Sequence, residues 1–306
     1  MDILHRFSFV NQPIRGQWVR LSTTLSDASQ FRAYPAPVKA LLGQMLAAVA
    51  MIADNLKFSG AVALQSQGKG HLKRSLAECR DQGALRGIVH LNSEADLPDA
   101  GESLQRWLQD GQLAISLLPD SDTGMQPYQG LVSLAEGDLA ACMQAYFEQS
   151  EQLDTRLFFA WQPDTVTGLL LQRLPDDPKA NEMTVEGARD AWETLTTLAA
   201  TVRDEELRTL GPDALIQRLF NEYPCRLHDP RQLEYRCSCT PAKSDNTLMM
   251  LGREDLVALS EERDTIFVDC EFCGRQYRYG APEVEMLLTE LDRRINPGSA
   301  ADEGIH

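Results

Sequence analysis

Near its C-terminal end the chain carries four cysteines in two tight pairs, Cys237-Ser238-Cys239 and Cys270-Glu271-Phe272-Cys273, with thirty residues between the pairs. Four thiolates converging from two knuckles suit a tetrahedral zinc ion. The same four sulfurs are also two ready-made disulfides. The pattern therefore permits a structural clamp, a redox sensor, or both. Zinc held by four thiolates keeps them deprotonated at neutral pH, and binding in such peptides is worth ~10–16 kcal/mol of what is effectively folding energy. The site is also electron-rich, so peroxide or hypochlorite that reaches it can oxidise the sulfurs. Sulfurs nearest in sequence would then pair, Cys237 with Cys239 and Cys270 with Cys273, and the Cys-X-Cys bridge would be strained. Neither bridge ties one knuckle to the other, so neither replaces the metal as a long-range clamp. Strain also implies easy reversal by cellular thiols. A purely structural zinc site that never changes has the same spacing, and the motif alone does not decide between the two.

Other residues offer less chemistry. Cys79, Cys142 and Cys225 stand alone. Cys142 lies on an apolar helix face and reads as core, because a free cysteine behaves as a small hydrophobe. Cys225 precedes the paired cysteines and could at most scavenge an oxidised partner. The five histidines are scattered, and His228 reads as a surface residue. Gln67-Gly68-Lys69-Gly70 lacks the Gly-x4-Gly-Lys-Ser/Thr pattern of a phosphate loop and reads as a hairpin turn. No nucleophile elbow and no zinc-protease helix motif is present. The residues favour a protein that is not an enzyme.

The 306 residues are enough for two domains, and 43% hydrophobic with 24% charged is a globular composition. The net charge of −16 is unevenly spread. Residues 1–80 hold ten Lys/Arg against four Asp/Glu, whereas residues 81–306 hold nineteen against forty-one. An acidic excess around the cysteines argues against a partner held through phosphates. The longest apolar stretch, Ala40 to Ala53, is interrupted by Gly43 and Gln44 and is shorter than the ~18 residues of a membrane span. Met1-Asp2-Ile3-Leu4-His5-Arg6 does not read as a secretory signal. The expected location is cytoplasmic, where paired cysteines bind metal or do redox chemistry rather than form permanent disulfides.

Periodicity supplies the elements that must position the cysteines. Val38, Leu41, Leu42, Met45, Leu46, Val49, Ile52 and Ala53 predict a deeply buried helix from Pro37 to Leu56. Strands are expected at Lys57–Ser66, Gly87–Leu91 and Gln112–Leu118, a helix at Asp138–Gln149, and a hairpin from Thr155–Trp161 and Gly168–Gln172. Pro175-Asp176-Asp177-Pro178-Lys179 reads as the start of a linker, followed by a helix that Thr184 would cap. In that helix Val185, Ala188, Trp192, Leu195, Ala199 and Val202 form one apolar stripe, while the other faces are charged. A short acidic helix at Asp204–Leu210 and another opened by Pro212 should follow. Such helices must dock to be stable, and a docked stripe that can be released would expose apolar surface able to bind unfolded chains. Short strands at Thr265–Val268 and Gln276–Tyr279 flank the second cysteine pair, and Pro282 opens a last helix. The fold class is α+β: a mixed N-terminal core domain at 1–176, an amphipathic helical linker at 177–231, a small zinc-binding domain at 232–295 and a disordered tail at 296–306.

These residues together resemble the redox-regulated holdase chaperones of the heat-shock protein 33 family. The resemblance rests on Glu234-Tyr235-Arg236-Cys237-Ser238-Cys239, on Cys270-Glu271-Phe272-Cys273-Gly274 with Tyr277, and on Tyr34-Pro35-Ala36-Pro37-Val38, Leu41-Leu42-Gly43-Gln44 and Leu56-Lys57-Phe58-Ser59-Gly60. Tyr128-Gln129-Gly130-Leu131-Val132 and Ser150-Glu151-Gln152 also fit. Cys79 and Cys225 lie outside the pattern. The resemblance implies an ATP-independent chaperone that is inactive while Cys237, Cys239, Cys270 and Cys273 bind zinc. It implies that oxidation forms Cys237–Cys239 and Cys270–Cys273, expels zinc, unfolds the zinc domain and loosens the linker. The oxidised protein, typically a homodimer, then holds unfolding clients, with no nucleotide, nucleic acid or membrane as partner. The linker stripe is the candidate client surface. Two other readings compete: a zinc-ribbon protein binding nucleic acid or the ribosome, which wants a basic zinc unit, and a thiol–disulfide oxidoreductase using Cys270–Cys273, which wants its pair at a helix start.

Overall fold

The computed structural model describes residues 2–56, 59–135, 137–175 and 185–295, with no side-chain detail at Val185 and Ile295. The expectations for Lys57-Phe58, for the linker start at 176–179, for the Thr184 cap and for the tail at 296–306 lie outside the described residues. The chain divides into two compact units, Met1–Arg236 and Cys237–His306.

The first unit begins with β1 (Ile3–Phe9), β2 (Ile14–Leu21), α1 (Thr23–Ser29) and the long α2 (Ala36–Asn55). Strands β3 (Gly60–Gln67), β4 (Leu72–Arg80) and β5 (Ala84–Leu91) follow, then α3 (Leu104–Leu108), β6 (Gln112–Pro119), β7 (Tyr128–Val132) and α4 (Leu139–Ser150). The hairpin β8 (Thr155–Gln162) and β9 (Thr165–Arg173) precedes three helices, α5 (Val185–Ala199), α6 (Asp204–Thr209) and α7 (Pro212–Phe220). Three very short strands close the unit: β10 (Cys225–Leu227), β11 (Arg231–Gln232) and β12 (Glu234–Tyr235). One sheet has the order β10-β1-β2-β9-β8, with β11 also on β1; the other has the order β12-β5-β4-β3-β6-β7. All these pairings are antiparallel except β12 with β5.

Helix α2 is the centre of this unit. It touches strands of both sheets, and from Val38 to Asp54 nearly every residue is buried. Its mean hydropathy of 1.6 over an 18-residue window would suit a membrane span, but 83% of that window is buried inside the protein. The helix is thus longer than the interrupted apolar stretch suggests, and protein rather than lipid covers it. Gly43 is one reason the packing closes: a Cβ there would lie 3.2 Å from Val166. The buried carboxylate of Asp54, near the end of α2, accepts from Gln17 Nε2 at 2.7 Å and pairs with Arg231 Nε at 2.9 Å and Arg6 Nε at 3.8 Å. Asp2 in turn caps α1, accepting from the backbone N–H groups of Ser22, Thr23 and Thr24.

The first sheet is buried on both faces. Leu4, Val19, Leu21, Val166 and Leu170 face the α2 core. Phe7, Phe9, Trp18, Leu169 and Leu171 meet a second apolar cluster formed with Trp192, Leu195, Leu207, Leu215, Leu219 and Phe220 of α5–α7. Gly16 makes this second face possible, because a Cβ there would sit 2.1 Å from the Phe7 ring. Arg20 pins the end of α6: its Nη2 donates to the carbonyls of Arg208 and Leu210, each at 2.9 Å. Carbonyls at a helix C-terminus have no partner within the helix, so this guanidinium fills a need that α6 cannot meet itself.

The second unit contains α8 (Pro241–Met249), α9 (Arg253–Glu262), the hairpin β13 (Ile266–Asp269) and β14 (Gln276–Tyr279), and α10 (Ala281–Ile295). Its buried apolar core is Leu248, Met249, Leu256, Ile266, Tyr279, Val284, Leu287 and Leu291. Tyr279 Oη donates to Asp245 at 2.8 Å and ties β14 to α8. A core this small is marginal for about 60–70 residues without a metal, a disulfide or a partner.

Burial of the α5 stripe predicts how firmly it is held. Leu195 is fully buried, so Leu195→Ala should cost about 2–5 kcal/mol of docking stability. Amide exchange across 186–199 should rise in that variant while exchange in α2 stays slow. Unchanged exchange in α5 would show that Leu195 does not hold the helix.

Candidate metal centre

A different local device places each cysteine pair. Cys237 comes two residues after the end of β12, and the first knuckle runs into Thr240, the N-cap of α8, whose hydroxyl accepts from Lys243 N at 3.2 Å. Pro241 then occupies the first turn, where its missing N–H costs nothing. Lys243 reaches back, its Nζ donating to Ser238 O at 2.7 Å and Ser238 Oγ at 3.1 Å. The second knuckle is the turn between β13 and β14. There Cys270 N donates to Arg275 O and Gly274 N to Cys270 O, each at 2.8 Å. Gly274 has φ of 64°, a left-handed conformation that glycine adopts without the Cβ penalty.

These devices bring the four sulfurs within 4.8 Å of one another. The close approaches cross between the knuckles: Cys237 Sγ to Cys270 Sγ is 3.6 Å and Cys239 Sγ to Cys273 Sγ is 3.5 Å. Zinc–sulfur bonds of about 2.3 Å at tetrahedral angles place sulfurs ~3.8 Å apart, so the donor set fits a four-thiolate metal ion. All four cysteines are half-buried, which leaves the sulfurs within reach of small solutes.

The thiols are not equivalent. Burial pushes the Cys239 thiol up, but hydrogen bonds from Tyr277 and from the thiols of Cys273, Cys237 and Cys270 outweigh it and bring the pKa down to about 7. Burial raises Cys237 and Cys273, and hydrogen bonds to the neighbouring sulfurs add to the rise. The buried Tyr277 hydroxyl finds no nitrogen or oxygen acceptor, and its partner is the Cys239 sulfur. Arg275 lies alongside, its own pKa raised by its hydrogen bond to Tyr277 and by the charge of Cys239. One sulfur is therefore poised as a thiolate next to a donor and a cation.

Elsewhere the structure separates the other candidates from this cluster. Ala188, Trp192, Leu195 and Ala199 are buried against the first sheet, and Val202 packs partly buried beside them. The Val185 side chain is outside the described residues. Cys79 and Cys142 are core residues, and burial pushes the Cys79 thiol up to about 12. Cys225 sits in β10 with its pKa raised to about 11 by burial, which does not suit a thiol scavenger. His228 shares a hydrogen bond with Ser8 Oγ at 3.1 Å at the surface. The brace from Lys243 was not anticipated; its signal is the Thr240-Pro241 cap, which announces a helix directly after the first knuckle.

The hydroxyl on Cys239 gives the centre a measurable support. A partner that orients a ligand sulfur typically contributes about 10–100-fold in metal affinity, so Tyr277→Phe should weaken zinc binding by that factor in a competition titration. Unchanged affinity would place Tyr277 outside the metal's supporting shell.

Known proteins share the fold. The family profile described as Hsp33 protein matches residues 2–280. The 33 kDa chaperonin of Methylobacillus flagellatus is 37% identical over 289 residues, covering 94% of each chain. That of Nitrosococcus oceani is also 37% identical over 289 residues, covering 94% of this chain and 95% of its own. The crystal structure of the 33 kDa chaperonin, or heat shock protein 33 homolog, from Thermotoga maritima superposes with a TM-score of 0.77 over 95% of this chain and 99% of that one, at 21% identity. With a family profile matched from β1 through β14 to the residue before α10, and relatives matched along nearly their whole length, the chain belongs to the Hsp33 family.

Proposed function

We propose that this protein is an ATP-independent holdase chaperone that oxidation switches on. The observation that carries the reading is the convergence of four sulfurs, within 4.8 Å, in a unit whose buried apolar core is eight side chains. Zinc bound there would hold the four thiols as thiolates and supply ~10–16 kcal/mol toward folding the unit. One peroxide can take two electrons from each thiolate pair and, with two protons from solvent, leave one disulfide and two waters. The pairs expected from the family are Cys237–Cys239 and Cys270–Cys273. Such disulfides lie within the knuckles and leave nothing joining one knuckle to the other.

The parts then have these roles. Residues 1–176 are the stable core, 177–231 the linker, 232–295 the redox switch and 296–306 a tail. Loss of the switch unit would destabilise the linker, whose helices are too short to persist undocked. Undocking would expose Ala188, Trp192, Leu195, Ala199 and Val202, together with Val185, as the surface for unfolding clients. It would also bare the bed formed by Phe7, Trp18 and Leu169. The working form is an oxidised homodimer in the cytoplasm, with no need for nucleotide. Residues 237–306 hold fourteen Asp/Glu against seven Lys/Arg, which disfavours the zinc-ribbon reading with nucleic acid or ribosome as partner.

The test is light scattering of a heat- or denaturant-unfolded client with the protein either reduced and zinc-loaded or treated with peroxide at mild heat. Zinc release, free thiols and disulfide connectivity are followed in the same samples. Suppression of scattering only by the oxidised, zinc-free sample is the expected result. Equal activity or inertness in both samples would leave the metal structural and overturn the switch. Cross-knuckle disulfides, Cys237–Cys270 and Cys239–Cys273, would staple the unit and overturn its unfolding.

A further inference from the structure

At the C-terminal end of α2 the first unit has a partly open cavity of about 100 Å³. Its apolar wall is Ile52, Leu56, Ile115, Leu117, Phe147 and Leu153. Its polar wall includes residues from the two segments Tyr128–Val132 and Ser150–Gln152, neither of which the metal centre uses. Tyr146 Oη donates to Glu151 Oε1 at 2.7 Å, and Tyr128 Oη lies 3.3 Å from the same oxygen and 3.2 Å from Tyr146 Oη. Gly130 is fitted to this cluster, because a Cβ there would lie 2.3 Å from Tyr146 Oη. The Glu151 carboxylate is thus already supplied with phenolic donors.

Arg15, on the other side of the cavity, is not supplied with an anion. Its Nε and Nη2 both donate to Gln172 Oε1, at 3.2 and 2.5 Å. Gln172 is its cross-strand neighbour and is neutral. Gln172 Nε2 donates to Thr155 Oγ1 at 2.9 Å, and Thr155 Oγ1 donates to Leu153 O at 3.0 Å. That chain fixes which face of the amide Arg15 meets. The carboxylate whose field reaches Arg15 is Asp54, and Asp54 is already taken by Arg231, Arg6 and Gln17. Two guanidiniums and an amide share that one carboxylate, and no ion pair is made by Arg15 among the described residues. Burial disfavours its charged form, and a half-buried cation without a counter-charge is costly.

We propose that this cavity binds a small aliphatic monocarboxylate, its carboxylate on the Arg15 guanidinium and its hydrocarbon against Leu117 and Phe147. The planar fork of an arginine matches a carboxylate with two parallel hydrogen bonds. An apolar cavity of about 150 Å³ holds benzene, so about 100 Å³ suits a chain of roughly three to four carbons. This inference is independent of the holdase reading.

The test uses the reduced, zinc-loaded full chain with butyrate as the probe, and with n-butanol and butylammonium as matched tails lacking the negative charge. Butyrate should raise the thermal midpoint saturably and give a titration isotherm, while the other two should not. Arg15→Met, which keeps the bulk of the side chain, should weaken butyrate at least tenfold, and Arg15→Lys should restore part of the affinity. Leu117→Phe, which fills the cavity and leaves Arg15 in place, should also abolish the response. The site is overturned if butyrate shows no saturation below about 10 mM, an affinity of roughly −3 kcal/mol. It is equally overturned if butanol binds as well as butyrate, or if Arg15→Met binds butyrate unchanged.

Discussion

A cysteine thiolate has two stable destinations, a metal ion or another sulfur, and it cannot serve both at once. In this protein that exclusion falls on a unit that has little else to hold it. Among the described residues its internal supports include a core of eight buried side chains, the tyrosine–aspartate hydrogen bond, the Lys243 brace on Ser238 and exposed ion pairs such as Arg253–Asp292. Exposed pairs of that kind contribute about 0–1 kcal/mol each, so the sulfur cluster dominates. The same geometry explains why Cys239 is shifted down while Cys237 and Cys273 are shifted up. A cluster of four like groups cannot ionise all its members without compensation, and hydrogen bonds from Tyr277 and the neighbouring thiols favour negative charge on Cys239.

The first unit meets the opposite problem, a surplus of apolar surface. A sheet normally has one core face, but β1, β2 and β9 are apolar on both. One face is covered permanently by α2, whose burial is nearly complete. The other is covered by three helices of 15, 6 and 9 residues. Isolated helices of that length are at best marginal in water, so undocking them and unfolding them are the same event. Arg20, bonded to the end of α6 and stacked over Trp18 at 4.7 Å, adds a polar contact to a contact surface that is otherwise apolar. Between α7 and the first cysteine the chain is not a free tether. It is threaded through β10, β11 and β12, each only two or three residues long. Short pairings of this kind open at little cost, so connectivity alone gives the chain a graded path from the cysteines to the helices.

What was legible in the sequence was whatever is encoded by spacing within one segment. The cysteine pairs, the α2 and α5 periodicities, the Gly68–Gly70 turn and the β8–β9 hairpin all have local signals. Strand β2 has no clean period, because it is covered on both faces and Ile-Arg-Gly-Gln-Trp-Val-Arg-Leu places polar residues on each of them, Arg15 and Gln17 on one and Arg20 on the other. Strand β4, Leu-Lys-Arg-Ser-Leu-Ala-Glu-Cys-Arg, carries too many charges to announce itself; its Glu78 is buried only because Arg86 on β5 pairs with it at 2.9 Å. Strands β10–β12 are too short for any period and exist because β1 and β5 offer edges. The polar cluster on Asp54 draws on residues 6, 17 and 231, and only the folded chain brings these together.

A redox centre also needs the rest of the chain to stay silent. Seven cysteines are present, and three of them are not in the cluster. The thiolate is the form that reacts with peroxide, so a thiol is protected by whatever keeps it protonated. Burial does this for Cys79 and Cys225, pushing them up to about 12 and about 11. At neutral pH a thiol of pKa near 11 is ionised in only ~1 molecule in 10,000. Cys142 is fully buried in α4, shielded by exclusion of the oxidant itself. Cys239, lowered to about 7 and half-exposed, is ionised about half of the time under the same conditions. The contrast in thiolate fraction directs an oxidant to the paired cysteines even though the chain holds other sulfurs, and it arises from burial at the single cysteines and from the hydrogen bonds that Tyr277 and the neighbouring thiols make to Cys239.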